Sequence, residues 1–113
     1  MKIKTSDLTL LALDWAVARV EFVGTLPLRI VSGVIYTVEG DNWNPSTDWA
    51  QGGPIIEREG LCLWSEGYDW EAKIQIGSGE WLTEWAETPL IAAMRCYVAS
   101  KLGDEVEVPE ELL

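Results

Sequence analysis

Apolar residues recur along residues 6–20 with the spacing of a buried helix. Leu8, Leu11, Ala12 and Trp15 fall on one row, and Leu10, Leu13 and Val17 on a second. The apolar face is broad, which predicts a helix with most of its surface buried. Thr5 or Ser6 is placed to cap it, and Asp7 suits the positive end of its dipole. The period then changes. Residues 28–38, LRIVSGVIYTV, are rich in β-branched residues and read as extended, with Leu28, Ile30, Val34, Tyr36 and Val38 sharing one face with Ser32. Gly33 marks a bend or bulge. GDNWNP at 40–45 is turn chemistry.

Residues 61–66 and 70–76 read as a hairpin. In the second run Trp70, Ala72, Ile74 and Ile76 alternate with Glu71, Lys73 and Gln75. Gly67, in the turn EGYD, is available for a positive φ. GSGEWLTEWAE at 77–87 reads as a glycine-led loop with one helical turn, on which Trp81 and Trp85, four apart, share a face. Residues 89–102 carry the clearest helix signals. Thr88 caps, Pro89 takes the first helical position, Lys101 lies in the last turn and Gly103 follows. Leu90, Ala93, Met94, Tyr97 and Val98 form its buried stripe, with Arg95 off the centre. The tail 104–111, DEVEVPEE, has five acids and no base and reads as solvated, with an interaction arm as the alternative.

The stretch 42–60, NWNPSTDWAQGGPIIEREG, sets strong helix signals against strong breakers. Ser46 and Thr47 are candidate caps, with Asp48 in the first turn. Gly52, Gly53 and Pro54 then fall where a helix should be strongest. Pro54 lacks an N–H and crowds the preceding turn, so a kinked helix or two short ones is expected. The glycines would permit close approach to a sheet or to a partner backbone.

These elements predict an α+β fold, a small and mostly antiparallel sheet flanked by helices. At 113 residues the chain suits one domain, 1–113, ending in an acidic tail from about 104 to 113. No apolar run reaches the ~20 residues needed to span a bilayer. Asp7 and Asp14 break up the N-terminal apolar stretch, so it reads as a helix of the mature fold and not as a signal peptide. Cys62 and Cys96 are then expected to be reduced and buried, in a cytoplasmic protein.

Composition narrows the chemistry. The chain has no histidine, which removes the commonest general base and zinc ligand. No metal site or cofactor is expected. A net charge of −11 excludes a basic nucleic-acid footprint. The charge either keeps the protein dispersed or meets a basic partner, a DNA mimic being one form of the latter. The seven tryptophans exceed what one small core absorbs. Indoles also dominate interfaces and stack on flat ligands.

Three blocks, NPSTDWAQGGPIIEREG, the Trp70–Ala72 run WEA and TPLIAAMRCYVASKLGDEVEVPEEL, resemble the NinX-like family of small phage proteins and the related phage alpha-beta-alpha sandwich domain. The resemblance covers the N-terminal helix and most of 42–113, but not 20–41 or 77–87. It implies a phage origin, a host-cytoplasm setting and a helix–sheet–helix layering. It implies no reaction. The family's wording is concentrated at Ser46, Thr47, Trp49, Gly52, Gly53 and Pro54, then at Trp70, Thr88, Pro89 and Arg95.

No residue set makes an enzyme. Gly77-Ser78-Gly79 lacks the Gly-Lys-Ser/Thr ending of a phosphate loop, and no pair of carboxylates stands out from the surface charge. Ser46 and Thr47 either cap a helix or offer an anion site at its N-terminus. Arg95 either pairs with an acid or faces a pocket where it forks a phosphate. Two non-enzymatic functions remain. In one, Trp49, Trp70 and either Trp81 or Trp85 stack a flat, nucleotide-like ligand whose phosphates meet Arg95 and helix-end N–H groups, so that a phage protein sequesters a host defence signal; Trp43, beside the cap, is a further candidate for contact with a ligand or partner. In the other, exposed indoles and the acidic face engage a host or phage protein. Self-pairing into a homo-oligomer through the tryptophans is a further option. Direct binding of nucleic acid and of membranes is not expected.

Overall fold

In a computed structural model the chain is described at residues 1–22, 28–37 and 39–113, and Leu28 by its backbone alone. Val38, expected on the first extended segment, lies outside the described residues. The elements are β1 (Lys2–Lys4), α1 (Leu10–Glu21), β2 (Leu28–Val31), β3 (Val34–Thr37), α2 (Trp49–Glu59), β4 (Cys62–Ser65), β5 (Trp70–Gln75), β6 (Trp81–Ala86), α3 (Pro89–Leu102) and β7 (Glu105–Glu107). Short 3-10 turns occupy Thr5–Asp7 and Glu110–Leu112.

The α3 signals are realised as read. Thr88 Oγ1 accepts the Ile91 N–H at 3.2 Å, Pro89 opens the helix and Gly103 closes it with φ +90°. Every residue from Leu90 to Ala99 is buried. A helix apolar all round needs neighbours on all sides. Here β4, β5 and β6 lie along one side and α1 and α2 along others. Leu63, Ala72, Ile74, Leu82 and Ala86 line the inner face of the sheet, and Leu13, Ala16 and Val17 of α1 complete the core.

The α+β class holds, with a different arrangement of strands. Among the described residues they form three antiparallel sheets, β1–β7, β2–β3 and β4–β5–β6. No described helix covers the outer face of β4–β5–β6, where Cys62, Trp64, Lys73, Gln75, Trp81 and Trp85 are exposed. The layering is therefore sheet, then α3, then α1 and α2, instead of helix–sheet–helix. The radius of gyration, 13.4 Å, matches the ~13 Å of a compact domain near 100 residues.

Several local expectations are corrected. Residues 81–86, read as loop and helical turn, form β6, in register with β5 from Gln75↔Trp81 to Trp70↔Ala86. Residues 28–37 are a hairpin, not one bent strand. Ser32 and Gly33 both have positive φ (+51° and +76°), as a two-residue reverse turn requires. The acidic tail is structured: Val106 pairs with Ile3 between the Lys2↔Glu107 and Lys4↔Glu105 pairs, and Val106, Val108 and Leu112 are buried. Helix α1 begins at Leu10, after the expected caps, because Thr5 is committed elsewhere. Its N–H donates to Asp104 O (2.7 Å) and its hydroxyl to Gly103 O (2.6 Å). Cys96 is buried as expected, but Cys62 is exposed on the outer face of the sheet.

Helix α2 is a single helix through Pro54. Pro54 removes the N–H that would reach Ala50, so the breaker costs one rung of the ladder without splitting the helix. Asp48 is the cap, accepting the Ala50 N–H at 2.9 Å, where Ser46 or Thr47 was expected. Gly52 explains the glycine. A Cβ there would meet Pro45 O at 2.5 Å and Leu90 Cδ2 at 2.6 Å, so the close approach is to the preceding loop and to α3.

Candidate functional site

The loop before α2 is held from both sides. Gln51 bridges it, its side chain accepting the Asn44 N–H (2.7 Å) and donating to Asn42 O (2.6 Å). Asp14 of α1 anchors it from below. The Trp43 indole N–H donates to the Asp14 carbonyl (2.8 Å), and the Ser46 N–H to the Asp14 carboxylate (2.9 Å). Trp43 also meets Phe22 edge-on, with centroids 5.1 Å apart. Burial pushes the Asp14 carboxyl up to about 6, against the opposing pull of Ser46. The buried Ser46 Oγ lies near that carboxylate without completing a hydrogen bond of good geometry.

Above this loop, the N-terminal ends of α2 and α3 flank a half-open cavity of about 240 Å³, lined by Ser46, Thr47, Trp49, Thr88, Pro89, Leu90 and Ile91. Three expected site residues, Ser46, Thr47 and Trp49, thus meet. Among the described residues, no lysine or arginine lines the cavity. Its volume falls below the ~300–1,000 Å³ usual for drug-sized ligands.

The other expected site residues lie elsewhere. Arg95, only 8% exposed, donates through Nε to Leu8 O (2.7 Å) and through a terminal nitrogen to Trp85 O (2.8 Å). Its guanidinium fastens α3 to the start of the chain and to β6, and Arg95 does not line the cavity beside Trp49. Trp70 and Trp43 pack against the core, as does Trp15, over which Arg19 sits at 5.3 Å.

Trp85 belongs to a different surface. Cross-strand partners share a face, so Trp64, Glu71 and Trp85 form one row across β4, β5 and β6. Trp81, opposite Gln75, stands on the same face. Trp64, Trp81 and Trp85 are 62%, 53% and 55% exposed. Tyr68, at the tip of the β4–β5 hairpin, is 93% exposed. A shallow depression of about 350 Å³ on this face is lined by Cys62, Trp64, Glu66, Glu71 and Lys73. Its polar groups are already in contact: Lys73 Nζ lies 3.2 Å from Glu71, and the Trp64 indole N–H reaches Glu66 at 3.4 Å. Trp64 was absent from the sequence-derived site. The alternation of Cys62, Leu63 and Trp64 would have turned its indole away from the core.

A third cluster ties the helices together. Arg58 of α2 binds Glu21 of α1 through two nitrogens (2.7 and 3.2 Å), and Tyr97 of α3 donates to the same carboxylate at 2.6 Å. Burial, followed by Glu21, raises the Tyr97 hydroxyl well above its ordinary range. Among the described residues, no three His, Cys, Asp or Glu side chains converge as a metal ion would need. Among them, too, no helix is long and apolar enough to cross a membrane.

No curated protein matches the chain. The family model described as bacteriophage P22, NinX matches residues 4–101, nearly the whole of this helix-and-sheet domain, and the chain belongs to that phage family.

Proposed function

We propose that this chain is a non-enzymatic phage accessory protein that acts in the host cytoplasm by binding another protein through the outer face of its three-stranded sheet. The observation that carries this reading is the row Trp64–Glu71–Trp85, with Trp81 beside it, on a face that no described helix covers. Exposed indoles gathered on one face supply the anchors from which interfaces are built. The sequestration of a nucleotide signal has weaker support, because Arg95 is spent on two carbonyls and none of the described residues that line the cavity beside Trp49 is a lysine or arginine. That cavity, between two helix N-termini, favours a second reading in which a small neutral or singly charged group binds against Trp49.

Native mass spectrometry of the tagged protein from infected cells tests both. A co-purifying protein that is lost from the Trp64→Ser/Trp81→Ser/Trp85→Ser variant, with its melting temperature kept, supports the main reading. A bound small molecule lost from Trp49→Ala supports the second. A partner retained by the triple variant removes the sheet face from consideration.

A further inference from the structure

We infer that the outer sheet face is a docking site for a basic protein segment, with an arginine side chain seated over Glu71 between Trp64 and Trp85. This rests on the protein-binding reading above and specifies the partner's chemistry.

The argument begins with register. Trp64 and Trp85 flank Glu71 on the two neighbouring strands, so about two strand spacings, roughly 10 Å, separate their backbones. A cation over Glu71 is then within reach of both indoles. Indole faces attract cations, and more so when water is excluded. The carboxylate adds the charge. Glu66 lines the same depression and accepts from the Trp64 indole, which ties that ring in place.

The chain already places a cation here. Lys73, on the same face of β5, lies 3.2 Å from Glu71 with both side chains partly open to water. Exposed pairs of this kind contribute ~0–1 kcal/mol, so an incoming cation displaces the lysine at little cost. A guanidinium is the better occupant, since it is planar, stacks on indole and meets a carboxylate through two N–H groups. The net charge of −11 steers a basic segment toward the protein. It also opposes a second copy of the chain, which carries the same charge.

Tryptophan fluorescence titration with a ten-residue peptide of alternating Arg and Gly tests this, alongside the same peptide with Gln for Arg. The Arg peptide should bind, and its affinity should fall at least tenfold in Glu71→Gln and in Trp85→Ser. The Gln peptide should bind at least tenfold more weakly than the Arg peptide. Trp85→Ser leaves the net charge unchanged, so its loss of binding cannot come from the overall field. Thermal melting checks that each variant is folded. Equal binding of the Gln peptide, wild-type titration by Trp85→Ser or Glu71→Gln, or a wild-type dimer that Trp85→Ser abolishes would each overturn the inference. If the Arg peptide fails to bind while the triple tryptophan variant still loses its co-purifying protein, the basic-partner inference falls and the protein-binding reading stands. If that variant keeps its partner, both fall.

Discussion

Arg95 holds the backbone of Trp85 while the Trp85 indole stays in solvent. The guanidinium, buried within α3, reaches the Trp85 carbonyl at 2.8 Å, and the indole on the opposite face of the sheet is 55% exposed. A second bond from the same guanidinium, to Leu8 O at 2.7 Å, spans 87 positions of sequence. One side chain thus braces the strand that presents Trp81 and Trp85, and the chain segment that leads into α1.

Arg95→Met should therefore destabilise the protein without touching an exposed surface. Two charge-assisted hydrogen bonds are lost and two carbonyls lose their partner, at a cost of roughly 3 kcal/mol or more. Urea unfolding measures this. A change below about 1 kcal/mol would show that water replaces the guanidinium.

Gly52 and Gly53 should respond oppositely to alanine. A Cβ at Gly52 meets a backbone carbonyl and Leu90, whereas at Gly53 the nearest atom, in the Trp49 ring, is 3.9 Å away. Gly52→Ala should cost about 1–3 kcal/mol through overpacking, and Gly53→Ala should gain up to ~1 kcal/mol from helix propensity. Thermal melts of the pair settle the matter, since equal effects would contradict the packing.

Asp14 makes stability depend on pH in the direction opposite to a salt-bridged carboxylate. Its carboxyl is raised from 3.8 to about 6 in the fold, so the folded state holds the proton more tightly than the unfolded chain. Its contribution is fullest below pH 4 and is lost as pH rises through 6. Asparagine can still accept the Ser46 N–H but carries no charge to desolvate. Between pH 4 and pH 7, Asp14→Asn should gain on the wild type by roughly 2 kcal/mol, read from urea midpoints across that range. A constant difference would mean that Asp14 titrates normally.

Deleting residues 104–113 should do more than remove a charged tail. Val106, Val108 and Leu112 are buried, and full burial of such side chains contributes ~1.5–3 kcal/mol each. The loss, about 5 kcal/mol, is comparable with the whole stability of a small domain. Circular dichroism should show an unfolded or strongly destabilised chain, and an unchanged melt would return the tail to solvent.

The tryptophans should divide by role. Trp43→Phe removes the donor to the Asp14 carbonyl and should cost about 1–3 kcal/mol. Trp64→Ser, being exposed, should stay within about 0.5 kcal/mol of the wild type. Comparable losses in urea unfolding would mean that the outer face is packed.

The sequence alone determined the elements whose signals are local. Helix α3 is written in Thr88, Pro89 and Gly103, and the β4–β5 hairpin in the alternation of Trp70 to Gln75 around a turn at Gly67. Strand β6 escaped because residues four apart share a face in a strand as well as in a helix, so Trp81 and Trp85 fit both. Strand β7 escaped because its acids suggested solvent, although Val106 and Val108 alternate with them. Only tertiary structure supplied β1 as the partner, with Lys2 and Lys4 opposite Glu107 and Glu105. The candidate site followed the same division. Excess tryptophan was visible in composition, but only cross-strand register set Trp64 and Trp85 on either side of Glu71. Only packing turned Arg95 toward two carbonyls and away from solvent. A side chain's local neighbours are written beside it in the chain, and its long-range partners are chosen by which surfaces bury one another.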